Sequence, residues 1–172
     1  MKNEITGMKL RLIVMNFLQF AVWGAYLTSM GTYLFNIGLG AKIGLFYAMQ
    51  GIVSLFMPAI MGIIADRWVP AQKLYGFCHF MAAVFMVAAG WYGYVDGEAV
   101  NFGTLFTFYS LSVAFYMPTL ALTNSVAYTA LDKVKLDPVI AFPPIRIFGT
   151  IGFICSMLLT DILGFQNNYM QF

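Results

Sequence analysis

Arg146 is the side chain with the clearest chemical task. It is the only charged residue in the apolar run 139–159, which is long enough to cross a bilayer. A guanidinium keeps its charge, and placing one near the bilayer centre costs roughly 2.5 to 3.5 kcal/mol on insertion scales. Something polar or anionic should therefore meet it. Thr150 and Phe153 follow at i+4 and i+7, so a hydroxyl and an aromatic ring continue the same helical face. The depth of this group turns on where its helix begins. A start at Pro143 puts Arg146 in the first turn, free to snorkel to the interface. A start at Pro138 puts it eight residues in, about 12 Å deep at 1.5 Å per residue, where it would face a cavity. The cavity is favoured, because intramembrane charges are functional sites by default.

Other chemistry is sparse. A membrane-embedded enzyme would need a convergent base, nucleophile or metal set, and one histidine without a mid-span carboxylate does not supply it. Neither a metal nor a cofactor is implied. Cys78 and Cys155 fall in apolar segments without a CxxC spacing and read as small buried residues. His79, two turns into its apolar segment among Phe77, Cys78 and Phe80, titrates in the physiological range but reads first as a packing histidine.

The elements that must position these groups are membrane helices. With 61% apolar, 17% aromatic and 9% charged residues, the chain has the composition of a protein whose solvent is lipid. A net charge of +2 offers no basic footprint for nucleic acid. Five apolar segments of spanning length can be marked, at about 10–35, 43–65, 74–95, 102–131 and 138 (or 143)–164. The expected fold class is therefore an all-α integral membrane protein. Short connections make consecutive helices antiparallel neighbours. With the N-terminus inside, Lys2, Lys9, Arg11, Arg67, Lys73, Lys133 and Lys135 are cytoplasmic, against Lys42 outside. The ending from Asn167 to Phe172 reads as the start of a sixth helix, and the chain as a fragment.

Polar side chains recur at helical spacing. The first segment carries Asn16, Gln19, Trp23 and Tyr26, the second Tyr47, Gln50 and Ser54, and the fourth Tyr109, Ser112, Tyr116, Thr119 and Thr123. Any one of these reads as interhelical hydrogen-bonding glue, worth about 0.6 kcal/mol. Together with the Arg146 face, the stripes are expected to line a shared hydrated cavity. Gly24, Gly31, Gly44, Gly51, Gly149 and Gly152 are expected to permit close helix approach. Pro58, Pro118, Pro143 and Pro144 should kink or begin helices.

The connection GIIADRWVPAQK (62–73) resembles the Gly-x-x-x-Asp-Arg/Lys signature of major facilitator transporters. Here Val69, Pro70 and Ala71 stand where that signature has glycine and two basic residues. More specific are NFLQFAVWG (16–24), FMPAIMGIIAD (56–66), YMPTLALTN (116–124) and FPPIRIFGTIGF (142–153), which together resemble the bacterial nucleoside:proton symporters of that superfamily, from about Lys9 onward. The resemblance implies a bacterial inner-membrane protein of two six-helix halves with the substrate between them, of which this chain would be the N-terminal part. It implies a proton-linked nucleoside importer with alternating access, monomeric in lipid, whose partners are a nucleoside, protons and the absent half.

By the same resemblance Arg146, Thr150 and Phe153 face the nucleoside. Ribose hydroxyls and base carbonyls would accept from Arg146, and Phe153 would stack on the base. Gly62, Asp66 and Arg67 would act as a conformational lock between the halves, although Asp66 also reads as a solubilising loop acid. The proton-coupling carboxylate is expected in the absent half. Alternatives are another hydroxyl-rich solute, such as a sugar, or a non-transporting membrane fragment.

Overall fold

A computed structural model describes residues 2–172, apart from the side chains of Lys2, Asn3 and Glu98, so the cytoplasmic charge expected at Lys2 lies outside the described residues. The apolar runs become six α-helices: α1 (Lys2–Leu27), α2 (Met30–Asn36), α3 (Ile43–Arg67), α4 (Ala71–Asp96), α5 (Phe102–Lys133) and α6 (Pro138–Ile162). No strand occurs among the described residues. Together α1 and α2 make one membrane-length span, Glu4–Asn36, broken at Thr28 and Ser29, and the other four helices are each long and apolar enough to span alone.

Local chemistry sets the ends. Asn101 caps α5, its side-chain oxygen accepting from the backbone N–H groups of Gly103 (2.8 Å) and Thr104 (3.4 Å). Asp137 caps α6 by accepting from Val139 N–H at 2.9 Å, with Pro138 in the first helical position, where its missing donor costs nothing. The helix thus begins at Pro138 and continues through Pro143 and Pro144, leaving the Val139 and Ile140 carbonyls without amide donors on an exposed face. Gly164, at φ 71°, ends α6 in the left-handed region. The segment expected to open a sixth helix instead forms two 3-10 turns, Phe165–Asn167 and Tyr169–Gln171, because Asn168 between them is fully extended.

Two packing units hold the bundle. α5 is its centre, packed by α3 on one side and α4 on another, around a core that includes Phe46, Tyr109, Val113 and Met117. α1 packs mainly on α6, and the two run parallel: Leu12 lies in one cluster with Phe142 and Ile145, while Thr28, just past α1, and Asp161 line one pocket at the other end. Glycines make this pairing close. A Cβ on Gly152 would strike the Phe17 carbonyl, and one on Gly24 the Phe153 carbonyl, so both helices approach to backbone contact. Gly44 and Gly51 differ from the expectation of close approach, since nothing lies within 4 Å of where their Cβ atoms would be. At Gly31 a Cβ would meet only side-chain atoms at ordinary contact distance, the Tyr47 hydroxyl at 3.7 Å and Ile43 Cγ2 at 4.0 Å.

Candidate functional site

Because α6 starts at Pro138, Arg146 sits eight residues in, about 12 Å along the helix. Its guanidinium lies over the face of Phe20 from α1, the carbon 3.9 Å from the ring centroid. That is cation–π geometry at van der Waals contact. Three residues on, Gly149 leaves the room: a Cβ there would stand 2.8 Å from an Arg146 nitrogen and 2.6 Å from Phe20 Cδ2. One turn beyond Arg146, Thr150 is exposed on the same face, and Phe153 is half-buried with its ring edge-on to Trp23 at 6.1 Å. Phe20 and Trp23 are themselves 6.3 Å apart. Arg146, Thr150 and Phe153 are therefore brought together above an aromatic floor shared by α1 and α6.

That floor is tied to the bundle centre. Trp23 Nε1 donates to Gln50 Oε1 (3.2 Å), and Gln50 Nε2 donates to the Tyr109 hydroxyl (2.5 Å), joining α1, α3 and α5. Tyr47 donates to the Leu27 carbonyl at 2.7 Å across the α1 break.

The remaining stripe residues, expected to line a hydrated cavity, lie mostly buried among the helices. Asn16, Gln19, Tyr26, Gln50, Tyr109, Ser112, Tyr116 and Thr119 are all at most 7% exposed, and most spend their polar atoms within the bundle. Gln19 is the hub: its Nε2 donates to Thr119 (2.8 Å), and its Oε1 accepts from Tyr75 (2.8 Å), His79 Nε2 (2.7 Å) and Thr123 (3.1 Å). Tyr116 donates to the Gln19 carbonyl and Ser112 to the Ala82 carbonyl. The physical reason is economy of desolvation. In lipid an amide or phenol that meets a complementary group on the next helix needs no water, whereas Asn16 Oδ1 and the Tyr26 hydroxyl are buried with no such partner. Tyr26, Ser112 and Tyr116 do border a cavity of about 240 Å³ with His79, but it lies among α1, α4 and α5 and excludes Arg146, Thr150 and Phe153.

His79 packs as a satisfied histidine, its ring edge-on to Tyr75 and Tyr116 and its Nε2 on Gln19. A glutamine oxygen has only lone pairs to offer, so His79 Nε2 must carry the hydrogen in this contact. Of the lock motif, Gly62 meets nothing within 4 Å, and Asp66 and Arg67 are exposed at the end of α3, neither ion-paired among the described residues. Cys78 is buried as expected, whereas Cys155 is exposed on α6. Sequence reasoning missed Phe20 and the connection of Tyr75 and His79 to Gln19. Phe20 sits between two stripe residues but carries no polar signal, and its partner is on the last helix.

Five membrane-length spans, a hydrogen-bonded centre in which Asn16 Oδ1 and the Tyr26 hydroxyl stay unpartnered, and a cation on an open helix face define a multi-pass membrane protein. The chain belongs to the Nucleoside H+ symporter family, whose model matches residues 6–172. It is 41% identical over 164 residues to the xanthosine permease of Escherichia coli and 40% identical over 168 residues to the nucleoside permease NupG of the same organism. These alignments cover 94% and 96% of this chain, and the chain spans 38% of each relative's length. A crystal structure of the nucleoside transporter NupG superimposes with a TM-score of 0.85 at 40% identity, covering 95% of this chain and 39% of that one. A mutant of the same transporter gives 0.87. The fold is thus the N-terminal part of a major facilitator transporter, as the motifs implied.

Proposed function

We propose that this chain forms the N-terminal bundle of a proton-coupled nucleoside importer of the bacterial inner membrane, with its N-terminus cytoplasmic. The observation that carries the reading is the Arg146 face. A guanidinium held by an aromatic ring keeps its in-plane N–H donors free, and Thr150 and Phe153 stand beside it on the same open face. A nucleoside suits that set, with ribose hydroxyls and base carbonyls to accept and a base to stack. Family membership and permease relatives support the substrate class.

A second six-helix half would close over this face, and the two would rock to alternate access. Asp66 and Arg67, exposed at the end of α3, are available to bridge to that half. The excess of Lys and Arg in the segments taken as cytoplasmic supports the orientation. The coupling acid belongs to the second half, and the whole acts as a monomer in lipid.

The test is equilibrium binding of labelled uridine and adenosine to the intact transporter in nanodiscs. Arg146→Ala abolishes binding while expression and insertion persist, and Thr150→Val weakens it about 2- to 10-fold through one lost hydrogen bond. Unchanged affinity in Arg146→Ala, or displacement of the label by a hexose, overturns the proposal.

A further inference from the structure

We infer that Phe20 is the positioning residue for the Arg146 guanidinium, and that its ring, seated with the guanidinium against Gly149, sets the affinity for substrate. The inference rests on the reading of Arg146 as a substrate ligand.

An arginine about 12 Å inside a helix has a cheaper option than facing a cavity: it can bend toward headgroups and water. Here it is seated on a ring of the neighbouring helix. Its guanidinium is centred 3.9 Å over the Phe20 ring. Two features of the sequence make that seat. Position 149 has no side chain, and one there would overlap both the guanidinium nitrogen, at 2.8 Å, and the Phe20 ring, at 2.6 Å. The ring itself cannot retreat freely, because the α1–α6 contact is fixed at backbone distance on both sides of it, by Phe17 against Gly152 and Gly24 against Phe153.

The choice of partner matters chemically. A carboxylate would stabilise the cation more strongly, but in bidentate form it would occupy two of the five N–H donors. A ring face attracts the charge through its quadrupole and takes no donor. The guanidinium is thereby desolvated on one face, fixed in orientation, and left with its edge available to acceptors. A neutral ligand rich in hydroxyl and carbonyl oxygens is what such an edge binds.

The experiment uses the intact transporter in nanodiscs and labelled uridine and adenosine. Phe20→Leu raises Kd about 5- to 30-fold, the range a desolvated cation–π contact spans. Phe20→Met, which keeps the bulk without a π face, does the same and serves if the leucine variant does not assemble. Phe20→Tyr and Phe20→Trp stay within about threefold of wild type, since both rings keep the quadrupole. Rescue by rings but not by aliphatic bulk is a pattern that a packing role would not produce. Phe20→Leu in an Arg146→Lys background costs less than in wild type, because an ammonium on a flexible stem does not lie flat on the ring. Wild-type affinity in Phe20→Leu or Phe20→Met, with binding lost in Arg146→Ala, overturns this inference and leaves the proposed function standing. Unchanged binding in Arg146→Ala overturns both.

Discussion

Replacing Gln19 by leucine tests whether the polar stripes hold the bundle together. The amide joins three helices through four hydrogen bonds, one from Nε2 to Thr119 and three received at Oε1 from Tyr75, His79 and Thr123. Leucine keeps the bulk and removes all four. Interhelical bonds in membrane proteins average about 0.6 kcal/mol, so the expected loss is about 2.4 kcal/mol, or about 50-fold in the folding constant. The measurement is unfolding in mixed micelles titrated with SDS and followed by far-UV circular dichroism. A second variant sharpens it. Thr123→Val removes only the longest of the four bonds, at 3.1 Å, and costs about 0.6 kcal/mol. Combined with Gln19→Leu it costs almost nothing further, since that bond is already gone. A Gln19→Leu variant within about 0.5 kcal/mol of wild type, or strict additivity in the double variant, would refute the account of these residues as mutually satisfied glue.

Three further outcomes concern single positions on the helices. Gly152→Val forces a side chain onto the Phe17 carbonyl and is expected to cost about 1 to 3 kcal/mol in the same titration. Gly76→Ala, on an exposed face with nothing within 4 Å, gains about 0.5 to 1 kcal/mol because alanine has less backbone freedom to lose. Asn101→Ala leaves the Gly103 and Thr104 amides uncapped and lowers stability by about 1 kcal/mol, with hydrogen exchange rising first in the opening turn of α5.

How much of this was legible beforehand differs by residue. The face shared by Arg146, Thr150 and Phe153 was readable because helical periodicity is local: residues four and seven apart must lie on one side. The start of α6 was not settled by its sequence, which offers Pro138 and Pro143 as equally good first-turn residues. The Asp137 side chain, accepting from Val139, decided for the earlier one. The polar stripes are legible in the sequence, but their partners are not. Spacing shows that Gln19 and Asn16 share a face with Trp23, but not that Thr119, Thr123, Tyr75 and His79 on other helices stand opposite Gln19. A cavity and a hydrogen-bonded interface have the same composition.

What the sequence determined alone was everything set by composition and by short-range geometry: lipid as the solvent, five spans, one cation too costly to be idle, and the family motifs. Contacts between helices far apart in the chain were decided only in three dimensions, because no local pattern encodes which ring lies 3.9 Å beneath a guanidinium 126 positions away. Phe20 reads in the sequence as one more apolar residue. Packed against Gly149, it becomes the surface on which Arg146 rests.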